Sequence, residues 1–247
     1  MARTWFSRNT ERGSAPRAER ETDAVDLTIS PRTVLSQTVA KLRDAILSGH
    51  FEPGARLIEA DLCQQMHVSR TSIREALRRL EAEKLVTSVP NKGPSVSVIA
   101  WDQAEQIYGV RALLEGEAAA LFARRATARE IRQMGEALDA FTKAVARNDP
   151  LERLNATSRF YEVMLLGCGN MIIREMLEGL VARINFLRAR SMSRPGRARY
   201  SAREMRRMFV AISKKNPDAA RLAAVDHVQA ACAAARDVFE TTTQKTA

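Results

Sequence analysis

Arg70, Thr71, Ser72 and Arg74 crowd a single short stretch directly behind Ser69. A guanidinium can donate two parallel hydrogen bonds to O6 and N7 of guanine, and Ser or Thr hydroxyls reach base edges or phosphates. Such a donor cluster is useful at the start of a helix, because a helix lying in a major groove reads bases with its N-terminal residues. Ser69 is placed to cap that helix by accepting a backbone N–H bond. Ile73, Leu77 and Leu80 follow at spacings of four and three, which gives the helix one apolar face. Arg78 and Arg79 lie further along, within reach of phosphates or of solvent. The plainer reading of the same residues is an amphipathic helix with a solvated basic face.

The neighbouring segments decide between these readings. Glu59 onward predicts a short helix, with Leu62, Met66 and Val68 as its apolar side and exit. Val86–Val89 and Val96–Val98 alternate as strands do, and Pro90-Asn91-Lys92-Gly93-Pro94 between them is turn chemistry with a cation at its tip. Upstream, Val34 to Ser48 reads as a helix with Val39, Leu42, Ala45 and Ile46 turned inward. Gly49 ends it and Pro53-Gly54 makes the next turn. Helix, helix, turn, basic helix and hairpin, in that order over residues 31–100, predict a winged helix-turn-helix whose ligand is duplex DNA.

These residues closely resemble the GntR family of bacterial transcription regulators. Leu47-Ser48-Gly49 with Phe51 to Leu57 is similar to its "ILSG…PG..L" motif. Val68 to Glu81 is similar to its "VSRTPVREALRRLE" signature, with Ser72 where Pro is usual. The resemblance covers about residues 34 to 99. It implies that Ser69, Arg70, Thr71, Ser72 and Arg74 contact DNA, and that Gly93 at the wing tip approaches the minor groove. Arg78 and Lys92 complete the expected DNA-contacting set.

Composition agrees. The 247-residue chain carries a net charge of +10 and a pI near 10.1, which favours polyanionic partners. The excess is spread out: +3 over residues 31–100 and +7 over residues 101–247. Residues 1–30 balance five cations with five acids and show no sustained periodicity, so a flexible tail is expected there. Cys63, Cys168 and Cys232 are isolated, which fits a reducing cytoplasm and no disulfide framework. No apolar run approaches the ~20 residues that cross a bilayer. No nucleophile elbow, Walker loop, dinucleotide fingerprint or HExxH occurs, so catalysis is not expected.

From Trp101 on, no strand pattern appears. Six helices are predicted, roughly 102–125, 128–147, 150–167, 170–192, 198–215 and 217–240, with a short tail over 241–247. The fold class is therefore mostly α: an N-terminal winged helix-turn-helix and a C-terminal all-helical antiparallel bundle over 101–240. Arg111 to Glu115, Phe160 through Asn170, Glu204 with Ile212, and Asp218 through His227 resemble the FCD-type ligand-binding domain of the FadR-like subfamily. That resemblance implies a central small-molecule cavity and a homodimer. Many such domains hold a divalent metal, and here Thr157, Tyr161, Met205 and His227 fall at the matching positions. Thr, a protonated Tyr and Met are poor hard-metal donors, so no metal and no cofactor are expected.

Arg111, Tyr161 and His227 stand at positions the resemblance turns inward, with Asn185 and Arg183 as further effector-binding candidates. A cation inside an apolar bundle calls for an anion, so a small carboxylate effector is expected. The alternatives are that Arg111 pairs with Glu115 one turn on, and that the cavity senses nothing. The run from Arg188 to Arg207 reads as a solvated helix-loop-helix. The expected function is a cytoplasmic regulator, a repressor, acting as a dimer on a palindromic operator and modulated by that effector.

Overall fold

The structure, a computed structural model, describes residues 34–90 and 92–246; the tail expected over 1–30 and the turn residue Asn91 lie outside the described residues. Three helices open the fold: α1 (Val34–Leu47), α2 (Glu59–Met66) and α3 (Arg70–Ala82). Val39, Leu42, Ile46, Leu62, Ile73, Leu77 and Leu80 converge in one apolar core, as the spacing predicts. Arg43 on α1 holds Glu83, just past the end of α3, through two hydrogen bonds of 2.9 and 2.5 Å. That clamp fixes the two helices at their common end.

The wing pairs β1 (Val86–Val89) antiparallel with β2 (Gly93–Val96), in the register Val86↔Val96 and Val89↔Gly93. The second strand therefore begins three residues before the expected Val96–Val98. Gly93, at φ +77°, lets the chain reverse directly into the strand. Val96 completes the buried pair with Val86, while Val98 is largely exposed and has left the ladder. The segment around Arg56 lies along the other edge of β2. Leu57 N–H donates to the Pro94 carbonyl and Val96 N–H to the Ala55 carbonyl, both at 2.9 Å.

Seven helices, not six, follow: α4 (Trp101–Arg125), α5 (Ala128–Ala146), α6 (Pro150–Gly167), α7 (Met171–Glu178), α8 (Val181–Ser193), α9 (Arg197–Ser213) and α10 (Pro217–Thr246). The unexpected break is at Gly179-Leu180. Gly is a weak helix former, and the Leu180 N–H folds back to the Leu177 carbonyl at 3.1 Å, which closes α7 before α8 starts. Three of the starts carry side-chain caps. Thr127 and Glu130 form a capping box, Asp149 caps α6 ahead of Pro150, and Asn170 caps α7. At the C-terminus α10 runs through Thr246 where a tail was expected; no Gly or Pro after Pro217 stops it.

The long helices α4 and α10 pack along each other, and both bury small residues, Ala118 to Ala120 on α4 and Ala220, Ala224 and Ala231 on α10. Gly167, at the end of α6, lies against the fully buried Phe122 of α4; a β-carbon there would stand 2.3 Å from the ring. Gly167→Ala should consequently destabilise the domain by about 1–3 kcal/mol, the usual penalty of overpacking, seen as a lower midpoint in urea denaturation. An unchanged midpoint would show that Phe122 has room to move. No described helix is long and apolar enough to cross a membrane.

Candidate functional site

Two sites emerge. The first is the exposed start of α3. The Ser69 hydroxyl caps the helix by accepting from Ser72 N–H at 3.2 Å and lies 3.0 Å from the Ser72 hydroxyl. Arg70, Thr71, Arg74 and Arg78 are exposed, while Ile73, Ala76, Leu77 and Leu80 are buried on the opposite face. Arg74 Nε donates to Glu59 at 2.8 Å and Arg78 to Glu75 at 2.6 Å. These exposed pairs contribute little to stability, so phosphates or bases can replace the carboxylates at small cost. Lys92 is exposed at the wing tip beside Gly93. Arg56 joins them: its guanidinium lies about 4.0 Å from where a Gly93 β-carbon would be. Sequence patterns hid that neighbour, because its place depends on the pairing of Arg56 with Ser95.

The second site is a group of buried charges inside the helical domain. Arg111 on α4 is fully buried and donates from Nε to Glu115 at 2.8 Å, one turn on. Arg188, from α8, approaches the same carboxylate at 3.7 Å and lies 4.2 Å over the Tyr161 ring of α6. The half-buried Asn185 accepts a 3.1 Å bond from Arg188, which orients the guanidinium. A separate trio sits nearby. Arg197 holds both oxygens of Glu204 at 3.0 and 2.8 Å, and His227 Nδ1 meets Glu204 at 2.8 Å. The Tyr161 and His227 rings are 6.3 Å apart.

Burial opposes every one of these charges. At Arg111 the attraction of Glu115 outweighs it and raises the pKa. At Glu115 the two arginines outweigh it and lower the pKa. At Arg188 burial, reinforced by Arg111, lowers the pKa. Burial also pushes the Tyr161 phenol up, so it is a neutral donor. At His227 burial dominates over Glu204 and lowers the pKa from 6.5, so the ring is neutral at pH 7. A lowered His pKa means that the unfolded chain takes up the proton first. The stability it contributes is complete above about pH 6.5 and falls as the pH drops through the depressed value in the fold. Glu115 and Glu204, both lowered from 4.5, add their own loss only in more acid solution. The melting temperature should therefore fall between pH 7 and 5.5, and His227→Gln should flatten that slope. A melting temperature independent of pH over that window would refute the assignment.

A cavity of about 250 Å³ opens beside this group, lined by Glu115, Tyr161, Leu165, Leu177, Ile184 and Arg188 among others. Of the expected effector residues only Tyr161 lines it. Arg111 is held back behind Glu115, His227 is turned to Glu204, and Asn185 reaches the cavity only through Arg188. Arg188 takes the place expected of Arg111, since Glu115 pairs first with the arginine on its own helix. The Arg188 to Arg207 run is accordingly not uniformly solvated. Arg188 and Arg197 are buried, and Arg194, Arg199, Arg203, Arg206 and Arg207 are exposed. Helical phase turns some arginines inward where matched acids wait.

The positions expected to match metal ligands do not suit a divalent cation. The Thr157 hydroxyl donates to the Arg153 carbonyl at 2.8 Å, and Met205 is buried in the core. Both oxygens of Glu204 already carry the Arg197 guanidinium. Among the described residues no three His, Cys, Asp or Glu side chains gather as a metal site would require.

Comparison with known proteins bears on both sites. Residues 35–96 match the gntR family of bacterial regulatory proteins, and residues 106–230 match the FCD domain. The chain is 29% identical over 211 residues to the HTH-type transcriptional regulator YdhC of Bacillus subtilis (strain 168), covering 85% of this chain and 94% of that one. It is 27% identical to the galactonate operon transcriptional repressor of Escherichia coli (strain K12), covering 76% and 90%. The E. coli McbR/YncC structure superposes with a TM-score of 0.71 at 22% identity, covering 85% and 99%, and shares the fold.

Proposed function

Because the chain belongs to the gntR family of bacterial regulatory proteins, as a DNA-binding transcription regulator with an FCD domain, we propose that it is a repressor released by a small carboxylate. The observation that carries the ligand-responsive part is the cavity lined by Arg188 and Tyr161. Arg188 Nε and the Tyr161 hydroxyl are buried there without a hydrogen-bond partner, as is Arg111 Nη1 behind them. Unpaired buried donors are rare and expensive, and an anion in the cavity would satisfy them. One relative is named as the transcriptional repressor of a galactonate operon, and galactonate is a carboxylate.

Two readers joined through residues 101–240 would act on a palindromic operator, since one recognition helix spans too few base pairs for useful specificity. Exposed Leu113, Met171 and Ile172 offer apolar surface for such pairing. Coupling has a physical route. On α8, Arg188 faces the cavity, and two residues on Arg190 lies 5.1 Å over Phe239, whose ring meets Trp101 at 5.5 Å where the reader joins α4. The same helix packs on α1 of the reader. A ligand that moves Arg188 would thereby bias the reader.

The test combines an operator selected from genomic fragments with a thermal-shift panel of organic acids. A binding acid should raise the melting temperature and release the operator in a gel shift. Binding of the operator with no response to any acid would leave the second reading, a regulator whose altered metal positions Thr157 and Met205 mark a silent cavity.

A further inference from the structure

We propose that the cavity selects a monoanion with an apolar body and rejects a dianion; this rests on the carboxylate reading above. Charge counting carries the first half. Arg111 and Arg188 supply two buried cations, and Glu115 is the one carboxylate paired with them. The neighbouring Arg197 and Glu204 cancel each other through two hydrogen bonds, with neutral His227 as a further donor to Glu204. The inner wall of the cavity therefore holds one uncompensated positive charge. A single carboxylate neutralises it, accepting from Arg188 Nε and the Tyr161 hydroxyl, the two unpartnered donors on its wall. A divalent metal would leave a larger surplus and would accommodate a chelating di-acid. A guanidinium presents directed hydrogen bonds and a single charge.

The mouth carries the second half. Beyond Arg188 the lining becomes Leu165, Leu166, Leu177, Val181 and Ile184. The charged groups at this end are Glu162, Glu178 and Arg174; the exposed Arg174–Glu178 pair at 2.6 Å cancels, which leaves the one negative charge of exposed Glu162. A second carboxylate on the ligand would lie on apolar walls, face that negative charge, and reach Arg174 only by displacing Glu178. The volume of about 250 Å³ corresponds to roughly eight groups of ~30 Å³, the liquid volume of a water molecule. A monocarboxylate of about eight or nine non-hydrogen atoms, aliphatic or aromatic, fills that space.

The experiment uses the full-length protein and calorimetric titration with hexanoate, benzoate, adipate and hexan-1-ol. Hexanoate or benzoate should bind at least tenfold more tightly than adipate, and hexan-1-ol should not bind. Arg188→Met should weaken the monoacids at least tenfold. Glu162→Lys, an exposed change that spares the fold, should narrow or reverse the preference by improving adipate. Adipate binding as well as or better than the monoacids would overturn the charge selection while the carboxylate reading stands. Unchanged monoacid affinity in Arg188→Met would overturn the anchor. If none of these acids binds, this inference fails, and the carboxylate reading fails with it only if galactonate and the wider organic-acid panel also give no response.

Discussion

Glu115→Leu should lower the stability of the folded protein by about 3–5 kcal/mol, the usual consequence of removing one member of a buried ion pair. Glu115 is the counter-charge for Arg111, and the carboxylate that Arg188 approaches at 3.7 Å. Leu would leave two guanidiniums in a shell of Tyr108, Tyr161 and Leu187 with no carboxylate between them. Neither arginine can shed its proton at neutral pH, so the charge cannot be relieved by titration. Urea denaturation followed by circular dichroism gives the difference directly. The triple variant Arg111→Leu/Glu115→Leu/Arg188→Met should recover much of the loss, because a hydrophobic replacement of a whole buried ion group is often neutral. A single variant within 1 kcal/mol of the parent would mean that water reaches the pair.

Arg70→Ala and Arg74→Ala should each cost about 1–3 kcal/mol in operator affinity while the melting temperature stays unchanged. Both side chains are exposed at the start of α3, opposite the face that packs into the core, so truncation removes contacts to DNA and not to the protein. Arg74 gives up only an exposed ion pair with Glu59 on binding. Lys92→Ala at the wing tip should weaken all sequences to a similar degree and reduce the salt slope by about 1, since a phosphate contact releases roughly one counterion. Gel shifts on selected and scrambled duplexes at several salt concentrations separate the two kinds of contact. Parent affinity in both arginine variants would remove α3 as the reading helix.

The DNA reader was legible because its determinants are local. Ser69 caps within three residues, Ile73, Leu77 and Leu80 fall on one face by spacing alone, and the turn between the strands is written in Pro and Gly. The helical class of residues 101–240 was legible because no strand pattern appears from Trp101 on. The alternative for Arg111, a pairing with Glu115, also lay within one turn, and the structure shows it. What spacing could not supply was which arginines of a basic run are buried. Arg188 and Arg197 look like their exposed neighbours in the chain. Their burial depends on Glu115 and Glu204, and Glu115 arrives from another helix. Once Glu115 engages Arg111, the cavity falls to Arg188 and Tyr161, and His227 is drawn away to Glu204. The early start of β2 likewise depends on the left-handed Gly93 and its pairing partners, and the break at Gly179-Leu180 on local backbone bonds, neither of which apolar pattern reports. Sequence by itself determined the elements and the ligand class of the reader, because capping and amphipathic burial act over a few residues. Tertiary structure alone decided the chemistry of the cavity, because a buried charge is set by whichever opposite charge packing brings within a few ångströms.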